Sequence, residues 1–350
     1  MIVMPKKKIP KLIKVAIYLI VIYMICWGIA IALLFSGTFP PNVYERSRVD
    51  LISFSSDGSK LISCDNENII QIWDISSGEE LYRLNWRKTT YITSGPTDIE
   101  WLQDKEQFAV MDGKNIRIYN TSNHTELWND SGFNSIDASQ SGDIFANING
   151  IWSATNYSQI KKFNLSSPKS IIDLSPNGKE LIYLPYGNEL EIINTSDGKT
   201  IHNLQEIDKN IADIVNFYDF GWSIDETKIG LLVDFRNEEG IVYYEWETDN
   251  YSLIMNKTFL LSRGYADLSP DFSKYVYANP RTSNVSIIHI LYSEPNITLE
   301  FSKWISTVKW SPDGSLIAAG NNDGIIKVWD ATSGELIQTM MTPKDHRIPT

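Results

Sequence analysis

Cysteine is scarce: two residues in 350 cannot build a disulfide framework. Cys26 lies in an apolar run and Cys64 in a strand-like run, so the two are not expected to pair. Cys64 reads as a small buried apolar residue. Histidine is almost as rare, and His124, His202, His289 and His346 show no metal-ligand spacing. Phosphate loop, nucleophile elbow and paired-histidine zinc motif are all missing. These absences exclude chemistries that leave a local signature. They do not exclude a site assembled from distant segments. Beyond the N-terminus no long stretch has a 3.6-residue apolar period, which argues against a helical architecture.

Charge is missing by sign as well. The first 44 residues hold five lysines and no acid. The rest holds 26 basic and 43 acidic residues, a net charge of −17. An acidic domain without a basic patch argues against nucleic acid and against docking on an anionic bilayer.

The first long feature is an uncharged apolar run of 21 residues, Val15 to Phe35. As a helix it spans roughly the ~30 Å hydrocarbon core of a bilayer. Gly37, Pro40 and Pro41 would end it. The run exceeds the apolar region of ordinary cleaved signals, so an uncleaved membrane anchor is expected. The lysines before it place the N-terminus in the cytoplasm and the bulk of the chain outside. The expected division is a basic tail (1–14), a transmembrane helix (15–35), a short tether (36–47), a repeat domain (48–341) and a C-terminal tail (342–350).

The repeat domain announces itself twice. Residues 54–79 read FSSDGSKLISCDNENIIQIWDISSGE, and 310–335 read WSPDGSLIAAGNNDGIIKVWDATSGE, with 12 identities and no gap. Weaker copies fill the interval. Taking the Asp of the SxDG turn as a ruler, equivalent positions fall at Asp57, Asp104, Ser141, Asn177, Asp225, Asp271 and Asp313. The gaps are 47, 37, 36, 48, 46 and 42 residues, the period of a four-stranded propeller blade. Three residues before the ruler stand Phe54, Trp101, Ala138, Leu174, Trp222, Leu268 and Trp310. Five before it stand Ile52, Ile99, Ile136, Ile172, Phe220, Ala266 and Val308, so the segment is a strand with one buried face. A downstream column reads Trp73, Tyr119, Trp152, Ile193, Trp246, Leu291 and Trp329. One such sheet cannot bury both faces alone, whereas seven set radially can. The expected fold is all-β: a seven-bladed β-propeller of four-stranded blades after one transmembrane helix.

Trp73-Asp74 and Trp329-Asp330, with FSSDG and WSPDG upstream, resemble the WD-repeat propellers. The resemblance covers about 48–340 and is strongest in the first and last units, although the family's Gly-His dipeptide is absent from all seven. It implies a scaffold that binds a protein or peptide partner rather than an enzyme. Each unit holds all four strands, so the shared-strand closure usual in the family is not evident, though residues 42–48 could add a strand.

Four residues before the ruler the column reads Ser53, Glu100, Asp137, Asp173, Gly221, Asp267 and Lys309. In a propeller this strand lines the central channel. The carboxylates of Glu100, Asp137, Asp173 and Asp267 could bind a hard cation such as calcium, which takes several oxygen ligands. They could instead cap neighbouring backbone groups or face channel water. The first alternative would suit an exported hydrolase or lyase acting on a sugar or lactone, the second a scaffold. A cytoplasmic-facing scaffold is the remaining alternative. The recurring Trp73, Trp101, Trp222, Trp246, Trp310 and Trp329 are expected in the interblade core; Trp86, Trp128 and Trp304, near blade junctions or loops, are the better candidates for an exposed contact, with burial still the leading expectation for them. Asn-x-Ser/Thr occurs at Asn120, Asn123, Asn129, Asn156, Asn164, Asn194, Asn250, Asn256, Asn284 and Asn296. These are glycosylation candidates in an exported domain. Turn chemistry is the competing explanation, since Asn120 and Asn194 stand where Trp-Asp has its Asp.

Overall fold

The computed structural model describes residues 47–342, apart from 87–94, 103–105, 132–134, 164, 166–170, 185–189, 204–213, 236–239, 260, 262–263, 280–283, 292–295 and 302–303. The apolar run Val15–Phe35 and the tail and tether up to residue 46 lie outside them, as does the C-terminal tail from 343. Among the described residues no helix is long and apolar enough to cross a membrane.

Local turn chemistry cuts the chain into repeating hairpins. In the first unit Ser55 Oγ donates to Asp57 Oδ1 at 2.7 Å, and the Ser59 N–H donates to the same oxygen at 3.0 Å. The Gly58 N–H closes back on the Ser55 carbonyl at 2.9 Å, with Gly58 at φ 66°. The unit at Ser311–Ser315 repeats these bonds, as do those at Ser223 and Ser269. The second recurring turn follows the third strand. There Asp74 Oδ1 accepts from Ser76 Oγ at 2.6 Å and the Ser77 N–H at 2.8 Å, and Asp330 Oδ1 accepts the Thr332 and Ser333 N–H groups at 3.0 and 2.7 Å. Carboxylates accepting local N–H groups fix a turn without help from the rest of the fold.

Seven antiparallel four-stranded sheets result, each built from four consecutive strands. The first strand of every sheet touches the first strand of the next. The innermost strand of blade 7, Ile305–Trp310, touches that of blade 1, Val49–Phe54, so the ring is closed. Blade 7 is completed by its own outer strand, Leu336–Met341. The seam is held non-covalently: Ser306 Oγ donates to the Val49 carbonyl, and Val49, Phe54 and Trp73 pack with Ala318, Val328 and Met340. No strand from outside blade 7 joins it among the described residues; of residues 42–48, offered above as one, only 47–48 are among these, and they are not a strand.

The six core tryptophans are all buried. Of the other three, Trp86 is fully buried, Trp128 is half-buried, and Trp304 is 57% exposed. One column needs correction. Strand pairing sets His289 opposite Lys274, as Asp74 lies opposite Lys60, so Ile288 and not Leu291 holds the tryptophan position of blade 6. Leu291 lies beyond the strand and is 51% exposed. The cause is a blade whose third strand ends three residues earlier than the ruler implies. Cys64 is buried in the core between blades 1 and 2, and burial pushes its thiol pKa well up.

Candidate functional site: the carboxylate-lined channel

The inner strands turn one face to their neighbours and the adjoining edge to the axis. Asp137, Asp173 and Asp267 therefore project towards the next blade. Asp137 Oδ2 accepts the Leu174 N–H at 2.6 Å, Asp173 Oδ2 the Trp222 N–H at 3.2 Å, and Asp267 Oδ2 the Trp310 N–H at 2.7 Å. Each bond joins one blade to the following one at the same register. Trp101 and Trp310 add a second link: their indole N–H groups donate to the carbonyls of Ser53 and Asp267 in the preceding blade.

A fourth clamp escaped the column. Asp219 Oδ2 accepts the Leu268 N–H at 2.7 Å, the bond that Gly221 would have had to supply. The inner strand of blade 5, Ile214–Trp222, has nine residues and a register shift between Phe217 and Asp219. The pairing is regular from Asp219 to Trp222, with Asp219 opposite Leu232 and Gly221 opposite Gly230, so Asp219 reaches the clamp from the same face two residues before the ruler's column. A Cβ at Gly221 would lie 3.0 Å from Asp173 Oδ2, so a larger residue there would crowd the adjacent clamp. Asp98 is the other channel acid missed, because it precedes the column by two residues.

Among the described residues the channel thus gathers Asp98, Glu100, Asp137, Asp173, Asp219 and Asp267, against one ammonium, Lys309. Lys309 Nζ lies 2.6 Å from Asp267 Oδ1. Asp267 is buried, and the other five acids are half-buried along the lumen. Burial raises the pKa of Asp98 and of Asp137 to about 6 and that of Asp219 to about 7. The Asp267 carboxylate adds to the shift at Asp219. Glu100 and Asp173 are pushed well up, first by burial and then by Asp137. Burial opposes the charge on Lys309, but Asp267 and Asp219 outweigh it and hold the ammonium protonated.

Glu100, Asp137, Asp173 and Asp267 are thus brought to one channel on successive inner strands, except that Asp219 intervenes. Among the described residues no three His, Cys, Asp or Glu side chains converge as a metal cage requires. The clamping bonds account for Asp137, Asp173 and Asp267 as links between blades.

Both channel mouths are concave. At the ends of the inner strands a cavity of about 370 Å3 is lined by Pro176, Pro270, Pro312, Trp222 and Ile224, together with the polar Ser56, Gln140 and Asp313, and Ile224 is 43% exposed. At their starts a cavity of about 430 Å3 is lined by Phe217, Tyr218, Tyr265, Thr307 and Lys309. The long insertions at 235–240 and 278–284 fall mostly outside the described residues.

The sequons sort by exposure. Asn123, Asn129, Asn156, Asn250, Asn256, Asn284 and Asn296 are exposed, and Asn164 lies outside the described residues. Asn120 and Asn194 are half-buried and do the work of the turn Asp: Asn120 Oδ1 accepts the Ser122 and Asn123 N–H groups, and Asn194 Oδ1 that of Ser196. Two histidines stack at blade junctions, His124 on Tyr82 and His202 on Tyr251.

Comparison with known proteins bears on the first and last units. Residues 44–74 and 293–330 match the family described as WD domain, G-beta repeat. A 77-residue stretch is 34% identical to Protein tipD of Dictyostelium discoideum, covering 21% of this chain and 13% of that protein. A 56-residue stretch is 39% identical to Protein Mut11 of Chlamydomonas reinhardtii, covering 13% of this chain and 15% of that protein. The chain therefore spans well under two thirds of either relative.

Proposed function

We propose that this chain, a WD-repeat propeller, is a binding scaffold that holds a protein or peptide partner at a mouth of its channel. One observation carries the reading: a rigid ring of clamped blades presents an apolar mouth of three prolines and the exposed Ile224, offering contact area at little ordering cost. The six channel acids below favour a partner with basic residues beside its apolar ones. The apolar run Val15–Phe35 supports an anchoring role, with the lysines before it keeping the N-terminus in the cytoplasm and the propeller outside. On that reading the exposed asparagines are glycan acceptors where the host has the machinery.

Two experiments test this. Photo-crosslinking from position 224 of the full chain in cells should trap one protein at high yield, and Ile224→Lys with Pro270→Ala should abolish capture while leaving the melting temperature unchanged. Equal capture by the variant sinks the mouth as the binding surface. Protease treatment of intact cells carrying a C-terminal tag should digest the propeller, and survival until lysis, with a positive cytoplasmic reporter fusion, reverses the topology.

A further inference from the structure

The outer strand of blade 7, Leu336–Met341, differs from its six counterparts. Its sequence, LIQTMM, has no ionisable side chain. Every other outer strand has at least one: Glu80 and Arg83 in blade 1, Glu126 and Asp130 in blade 2, two lysines in blade 3, His202 in blade 4, Lys257 in blade 5 and Glu300 in blade 6. Charges at a sheet edge keep it from pairing with another edge. Leu336, Ile337 and Met341 are 50%, 45% and 49% exposed. The strand is bonded on one side to Ile325–Asp330 and is the last in its sheet. Blades 7 and 1 also lack any Asn-x-Ser/Thr, whereas blades 2 to 6 each have one or more.

We infer that this edge pairs with the same edge of a second copy of the chain. Charge selects the occupant. Copies with a net charge of −12 repel over most of their surface and can approach closely only along an uncharged strip. An antiparallel two-fold pairing centred on Thr339 sets Ile337 of one copy beside Met341 of the other. It keeps the two Glu335 carboxylates about 27 Å apart at ~3.4 Å per residue, well past the ~8 Å screening length. The two blades would then form one eight-stranded sheet. Six residues a side make a small interface, so the dissociation constant belongs in the micromolar range or weaker.

The full chain in detergent micelles should pass from monomer to dimer in sedimentation equilibrium between about 1 and about 200 μM, the range for an interface of this size. Ile337→Lys should weaken association about tenfold or more, since it sets a charge beside the apolar Met341 of the partner strand and on the only uncharged edge. Ile160→Lys, on the exposed outer strand of blade 3, should not. Both sites are exposed, so the fold should survive, as circular dichroism will verify. Mild oxidation of Thr339→Cys should give a covalent dimer that the parent chain does not form. A chain monomeric at the highest concentration overturns the inference. So does dimerisation seen only after removal of residues 343–350, which would assign the edge to the chain's own tail. A dimer unaffected by Ile337→Lys and lacking the position-339 crosslink overturns it too, by placing the contact elsewhere.

Discussion

Two sets of aspartates, as near in sequence as Asp267 and Asp271 or Asp219 and Asp225, do opposite things. Those of the turns accept hydrogen bonds from residues two or three positions away. Asp57 is held below the usual carboxylate range first by the Ser55 hydroxyl, and Asp225 likewise by Ser223. Those of the channel accept from a different blade, 37 to 49 residues along the chain. Burial raises the pKa of Asp137, Asp173 and Asp219 despite those bonds. The lesson is that the same side chain builds a hairpin cheaply at the surface and joins hairpins at an electrostatic cost inside.

The largest expected effect comes from breaking a clamp. Asp267→Ala leaves the buried Trp310 N–H and the partly exposed Lys309 ammonium without their acceptor, and an unsatisfied buried donor to a charged group costs about 2–3 kcal/mol. Urea denaturation should show this as a lowered midpoint. Asp267→Ala combined with Lys309→Met should recover part of it, and a lack of recovery would mean that the backbone bond dominates.

The second effect is on pH, and its sign differs between the sets. For the channel acids the folded chain binds more protons than the unfolded chain between about pH 4 and about pH 7, so their contribution makes stability fall as pH rises through that window. The turn acids contribute stability above the ordinary carboxylate range that is lost as pH falls through their depressed values. Melting temperature should therefore peak at about pH 4, where the two windows meet. Asp219→Asn should flatten the fall between pH 5 and 7, and an unchanged slope would remove Asp219 from the account.

Smaller effects belong to the turns. Asp313→Ala removes the acceptor of the Ser311 and Ser315 bonds and should cost about 1–2 kcal/mol by denaturation. Asp313→Asn should be the mildest change of all, within about 0.5 kcal/mol. Asn177 already fills this position in blade 4, accepting the Lys179 N–H at 2.8 Å.

The contrast also explains what could be read in advance. The turns, the blade count and the tryptophan core were legible because each rests on a few adjacent residues repeated at one period. Ser55-Asp57-Gly58 and Ser311-Asp313-Gly314 carry their own hydrogen bonds wherever they occur. The third column failed only at Leu291, where the loops of blade 6 shift the period. In the channel, Glu100, Asp137, Asp173 and Asp267 were found by register alone. Asp219 was hidden because, like Asp98, it stands two residues before that register, and its one cue was a glycine standing where an acid recurs.

The sequence by itself determined seven hairpin-rich units and the residues that face each unit's neighbours, because turn geometry and alternating burial act over a few residues. The tertiary structure decided which carboxylate meets which N–H, how the inner strands of the last and first blades meet to close the ring, and how far the channel acids move from their ordinary pKa values. Those depend on the packing of one blade against the next, and desolvation in the channel exists only once the ring is assembled.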